Sequence, residues 1–122
     1  MDSFVKFNSG SSIYWSNKLK CEYLQRLIIV HSIIYYELSD NVIDDKQFDI
    51  LCKQLLDLQK ETYNYEQTYY YDLFKDFKGE TGYYLYDRLK PEDKFYLTGI
   101  AKVVLYNFKK GGSDKWNLVL YI

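Results

Sequence analysis

The sequence predicts a mainly α fold: a central helical hairpin, additional helices around it, and a small two-stranded sheet formed by the termini. Three observations predict it. Apolar residues between Leu24 and Leu38, and again between Phe48 and Leu58, recur at the i, i+3, i+4 spacing of a buried helical stripe. Turn and capping residues separate the two stretches, with Ser39-Asp40-Asn41 followed by Asp44 and, three positions on, Gln47. A chain of 122 residues, 48% of them hydrophobic, suits one domain with a single core.

At the N-terminal end, Phe4-Val5-Lys6-Phe7 reads as a short strand, the Ser/Gly cluster after it as a turn, and Ser16 as a helix cap. The first helix spans Lys18 to Leu38. Positions 24, 27, 28, 31, 34, 35 and 38 form its stripe, and Ile29, Val30, Ile33 and Tyr36 add apolar groups on the remaining faces. A helix apolar nearly all round is one that other elements surround, so this is the central helix. The second helix opens at an Asp44 cap and runs to about Tyr63. Its stripe is Phe48, Leu51, Cys52, Leu55 and Leu58, of which Phe48, Leu51 and Leu55 face Leu27, His31 and Ile34 of the first. Residues 18–60 thus form the hairpin.

Residues 61–90 are aromatic and acidic, holding eight of the fifteen tyrosines between Tyr63 and Tyr86. Gly79 and Gly82 bracket a turn there, and Tyr83 to Leu89 reads as a short helix. Pro91 suits the first turn of a C-terminal helix over 91–110, with Phe95, Leu97, Ile100, Ala101, Val104 and Leu105 at helical spacing. Gly111-Gly112 ends it. Residues 116–122 are β-prone and are expected to pair with the strand near Phe4; an exposed edge there leaves monomer and homodimer both open.

Composition limits the function classes. Sixteen basic residues stand against seventeen acids, so no global field draws nucleic acid. Contact with it is restricted to a local patch at Lys102, Lys109, Lys110 and Lys115, where a solvated helix end is the more usual reading. The longest apolar runs are broken by His31 and Ser32 and are too short to span a bilayer. With no basic-then-apolar leader, the expected location is the cytoplasm of a bacterial host cell. Cys21 and Cys52 read as reduced thiols. His31 is the only histidine and lies on the core face, so neither cysteine has a free base beside it and no catalytic set is assigned. Asp45 and Asp49 share a helix face, but two carboxylates alone make a poor metal site, and none is assigned.

Ile33 to Asp49 reads IIYYELSDNVIDDKQFD. This stretch resembles, without a gap, the N-terminal helical subdomain of bacterial NAD-dependent DNA ligases, whose usual form is Y-x-Y-[HY]-V-x-D-x-P-x-I-[SP]-D-x-E-Y-D. The resemblance covers Tyr23 to Lys60, under a third of the chain. It implies a site for the nicotinamide mononucleotide half of NAD, with Tyr35 stacking on nicotinamide and Asp45 and Asp49 as the paired aspartates. Tyr36 stands where many ligases have histidine, and Phe48 replaces a tyrosine. No Lys-x-Asp-Gly occurs anywhere in the chain. Without that nucleophile the covalent ligase step is excluded, and no enzyme activity is expected.

Two functions follow as expectations. The preferred one is a small non-catalytic interaction protein, encoded by a phage or mobile element, as the similarity to small ligase-related proteins of that origin implies. It would bind and inhibit a bacterial defence protein, an anti-CRISPR-like inhibitor being one form, through Tyr69, Tyr70, Tyr71, Tyr83 and Tyr84, and would need no cofactor. Tyrosine suits such a surface because it supplies contact area with few rotors and a polar tip. The alternative is a nicotinamide-nucleotide module that takes NAD or nicotinamide mononucleotide (NMN) at Tyr35, Tyr36, Asp45 and Asp49.

Overall fold

A computed structural model describes residues 3–6, 12–79 and 84–110, with the backbone alone for 3–6 and 12–14. The fold is mainly helical. Strands β1 (Ser3–Lys6) and β2 (Ser12–Trp15) form an antiparallel pair in which Phe4 stands opposite Tyr14. The strand expected near Phe4 is therefore present, with the chain's next segment as its neighbour. Residues 116–122 and the Gly111-Gly112 stop lie outside the described residues.

Helix α1 (Asn17–Tyr36) starts at Ser16, whose hydroxyl accepts the Leu19 amide at 3.1 Å. Every residue from Leu27 to Ile34 is buried, so this stretch has no solvent face at all. The near-continuous apolar run makes it the axle of the fold: α2, α4 and α5 all pack on it. Ser32, polar within that run, donates its hydroxyl to the Ile28 carbonyl at 2.7 Å and so is satisfied inside its own helix.

Helix α2 (Asp45–Lys60) is opened by a reciprocal capping box. The Gln47 amide donates to Asp44 Oδ1 at 2.7 Å, and the Asp44 amide donates to Gln47 Oε1 at 3.0 Å. Leu51, Cys52 and Leu55 are buried against α1, as the stripe predicts. The helix ends at Lys60, short of Tyr63. Thr62 turns its hydroxyl back onto the Leu58 carbonyl at 2.8 Å and lies 3.5 Å from Cys21 Sγ, which fixes the exit from the hairpin. Both cysteines are buried thiols outside any disulfide, and burial pushes the Cys21 thiol above its usual pKa.

The tyrosine-rich segment forms a 3₁₀ turn (Tyr65–Gln67), α3 (Tyr71–Phe74) and α4 (Leu85–Arg88). Polar groups on α1 stitch it down. Gln25, fully buried, donates through Nε2 to Thr68 Oγ1 at 3.1 Å and to the Tyr65 hydroxyl at 3.4 Å. Glu22 Oε2 accepts the Tyr69 amide at 3.0 Å. Leu73, Phe74, Phe77, Leu85 and Leu89 then join the core.

Helix α5 (Pro91–Lys109) has Pro91 in its first turn and buries Leu97, Ile100, Ala101 and Val104 against α1. Its last turn is tied to the hairpin loop by a 2.6 Å ion pair between Lys109 Nζ and Asp40 Oδ2. No helix among the described residues is long and apolar enough to cross a membrane.

Candidate functional site

Where α1 gives way to α2, the chain does not close tightly. After Tyr36, backbone bonds from Leu38 to the Ile33 carbonyl and from Asp40 to the Ile34 carbonyl end the helix, and Ser39 takes a left-handed φ of 53°. Asp40 then accepts the Asn41 amide at 2.8 Å. Lys109 beside Asp40, with that amide bond, holds its carboxyl below the usual range. The loop is thereby anchored toward α5, and Val42 and Ile43 tuck under it. Between the loop, the end of α1 and the start of α2 lies a cavity of about 450 Å³, a size typical of small-molecule sites.

Tyr35, Tyr36, Asp45 and Asp49, all singled out in the sequence, line this one cavity. Tyr35 is 54% exposed, and its ring meets Tyr36 edge-on with centroids 4.8 Å apart, leaving aromatic surface at the mouth. Asp45 and Asp49 are both exposed on the first two turns of α2, on one face because four residues separate them. Asp44 adds a third carboxylate, one of whose oxygens is used by the cap. Phe48 forms part of the apolar wall, and Gly79 closes the far side. Among the described residues no lysine or arginine lines the cavity, and the lining they give it is three carboxylates beside the rings of Tyr35, Tyr36 and Phe48. That combination suits a planar cation, held by ring faces and by anions at once. Among the described residues, neither the Asp45 nor the Asp49 carboxylate has a hydrogen-bond or ion-pair partner, and no cluster of His, Cys, Asp or Glu is placed to hold a metal.

His31 is the residue whose part in the site the sequence did not disclose. Its stripe position correctly predicts burial, and it is 4% exposed. It also borders the cavity, and neither ring nitrogen has a hydrogen-bond partner among the described residues. Burial alone pushes its pKa down to about 4, so the imidazole is neutral at physiological pH. A buried polar group left unpaired costs on the order of 1–3 kcal/mol, and native proteins keep few of them.

No protein-family model, curated protein or solved structure matches this chain.

The tyrosines expected to form a partner surface are divided by the fold. Tyr69 is exposed and donates its hydroxyl to Asp93 at 3.2 Å. Tyr70 corrects the expectation: it is 6% exposed and belongs to the core, its ring edge-on to Tyr69 at 4.7 Å and its phenol pushed by burial to about 12. Tyr71 is half-buried against Tyr65, and Tyr84 is half-buried beneath the Arg88 guanidinium. Tyr83 lies outside the described residues. The large exposed aromatics that sequence reasoning passed over are Tyr63, and Phe95, Tyr96 and Tyr106 on α5. Phe95 is 86% exposed, although its helical spacing had placed it in the stripe. Of the expected lysine patch, Lys109 is engaged by Asp40 and Lys110 lies over the Tyr106 ring, while Lys115 lies outside the described residues.

Proposed function

We propose that this chain is a binding module for nicotinamide nucleotides, NMN or the NMN half of NAD, without catalytic activity of its own. The observation that carries the reading is the convergence of Tyr35, Tyr36, Asp45 and Asp49 on one cavity. The pyridinium ring of an oxidised nicotinamide nucleotide is flat and positively charged. It stacks on or abuts the Tyr35 ring, while the Asp45 and Asp49 carboxylates stabilise its charge or accept its ribose hydroxyls. The resemblance of residues 33–49 to the ligase subdomain points to the same ligand. Isothermal calorimetry with NMN and NAD tests it: wild-type protein releases heat on saturable binding. Tyr35→Ala and Asp45→Asn, both on exposed positions that leave the fold intact, each weaken affinity about tenfold, the worth of one stacking or charge-assisted contact. No heat with wild type at millimolar ligand refutes the reading.

A second reading, the inhibitor of a bacterial defence protein, is favoured by the exposed aromatics Tyr69, Phe95, Tyr96 and Tyr106. The Tyr69–Asp93 hydrogen bond sets Tyr69 beside the start of α5, next to two of them. Its docking surface is then Tyr69 with the outer face of α5 and excludes Tyr70. A partner recovered in stoichiometric amount by the wild type and lost by Tyr69→Ala/Phe95→Ala supports this reading; a partner that the double variant retains removes that surface.

A further inference from the structure

We propose that His31 is the specificity-determining residue of the cavity: its imidazole hydrogen-bonds the ligand's carboxamide and makes the site select nicotinamide over nicotinate nucleotides. This inference rests on the nicotinamide reading above and goes beyond it, because nothing in the ligase-like pattern at residues 33–49 includes position 31. Three observations carry it.

His31 borders the cavity, is only 4% exposed, and has no hydrogen-bond partner for either ring nitrogen among the described residues. Ser32, the other buried polar residue of α1 lining the cavity, has its one donor engaged by the Ile28 carbonyl and can only accept from a ligand. The polar groups at the start of α2 are the Asp44, Asp45 and Asp49 carboxylates, which only accept hydrogen bonds when ionised, and Asn41 in the loop already donates its side-chain nitrogen to the Ile43 carbonyl at 3.4 Å.

A neutral imidazole carries one N–H donor and one lone-pair acceptor. A carboxamide carries both kinds of group as well, so whichever nitrogen of His31 meets it, a matching partner is available after a simple amide rotation. A carboxylate offers acceptors only. It satisfies His31 in just one tautomer, and it brings a fourth carboxylate into a cavity lined by Asp44, Asp45 and Asp49, with no lysine or arginine among the described lining residues to offset it. The two nucleotides are otherwise the same size and shape, so the discrimination falls on this contact and this field. His31 stays neutral through the physiological range because the surrounding core disfavours its charged form, and so it does not become the cation that would welcome nicotinate.

The experiment compares NMN with nicotinic acid mononucleotide by calorimetry at pH 7 on wild type, His31→Leu and His31→Gln. Wild type is expected to bind NMN at least about tenfold tighter than the acid. His31→Leu, an apolar replacement in an apolar surround, weakens NMN and brings the ratio of the two affinities down severalfold toward what the carboxylates alone impose. His31→Gln, which again offers a donor and an acceptor, restores the ratio. Wild type that binds both nucleotides equally, or His31→Leu that keeps the full wild-type ratio, overturns the assignment and leaves the nicotinamide reading standing. Wild type that binds neither overturns both. If His31→Leu does not fold, imidazole ¹⁵N spectra of the wild type decide instead, since the chain has one histidine and the signals need no assignment. NMN is expected to shift one ring nitrogen strongly at saturation; an unmoved imidazole overturns the proposal.

Discussion

Lowering the pH from 7 to 5 destabilises this protein through one side chain, and the size of the effect follows from where that side chain sits. His31 has an ordinary pKa of 6.5 in the unfolded chain and about 4 in the folded one, because burial penalises its charged form. Between those values the unfolded state binds a proton that the folded state refuses, so stability falls as pH falls. The contribution is complete above pH 6.5, declines through the window from 6.5 to 4, and levels off below. The whole span of 2.5 units corresponds to about 3 kcal/mol, of which about 2 kcal/mol is lost by pH 5. Urea unfolding followed by far-UV circular dichroism measures it. With a denaturant slope of about 2 kcal/mol per molar, the midpoint drops by about 1 M between pH 7 and pH 5. Because His31 is the sole histidine, no other imidazole contributes. Asp40, whose carboxyl is held low by Lys109, has the ordinary carboxylate sign: its contribution is present above its unfolded value near 3.8 and is lost as pH falls below it, outside this window. His31→Gln is therefore expected to flatten the pH 5–7 dependence. A wild-type midpoint that moves by less than about 0.25 M, an effect under about 0.5 kcal/mol, refutes the claim that this imidazole is buried and unpaired. So does a His31→Gln variant with the wild-type slope.

Two further outcomes test the fold around the site. Tyr70→Ala is expected to cost about 3–5 kcal/mol, like other large-to-small aromatic truncations in cores, while Tyr69→Ala, one residue away and exposed, costs under about 1 kcal/mol; equal melting temperatures for the two variants would contradict the division of the tyrosines. Gly79 holds a φ of 86°, and a β-carbon there would stand 2.9 Å from Leu56 Cδ1. Gly79→Ala is expected to lose about 1–2 kcal/mol in urea unfolding, chiefly from the left-handed backbone; an unchanged midpoint would show that the backbone at 79 is not left-handed.

The hairpin was legible in the sequence because its signals are local and agree with one another. The period of Leu51, Cys52 and Leu55, the reciprocal Asp44/Gln47 cap and the near-continuous apolar stretch of α1 each depend on residues only a few positions apart. The tyrosine-rich segment was not legible in the same way. Tyrosine has an apolar body and a polar tip, so its burial is decided by partners distant in sequence. Gln25 and Glu22 pin the segment onto α1 from 40 to 47 positions away, and that puts Tyr70 inside while leaving Tyr69 out. Spacing could not separate two adjacent tyrosines. Likewise Phe95, on an apparently regular stripe, lies outside because α5 presents the 97, 100/101, 104 line to α1.

His31 joins the two halves of the problem. Its position on the core stripe says it is buried, and that much is local. Whether it is also satisfied depends on how the loop at 37–44 leaves α1, because that departure opens the cavity beside it. Elsewhere in α1 the Ser32 hydroxyl is paired within its own helix and the Gln25 side-chain nitrogen with Thr68 and Tyr65, while Gln25 Oε1, away from the cavity, has no partner among the described residues. At His31 the local rule that a buried polar side chain is paired within the protein is broken, and it is broken at the cavity where the aromatic and acidic residues converge. Sequences that otherwise specify their fold consistently break such rules where function requires it. A leucine at position 31 would fit the stripe, remove the acid sensitivity and stabilise the hairpin. On the binding role proposed above, the histidine there trades that stability for a polar contact in the cavity.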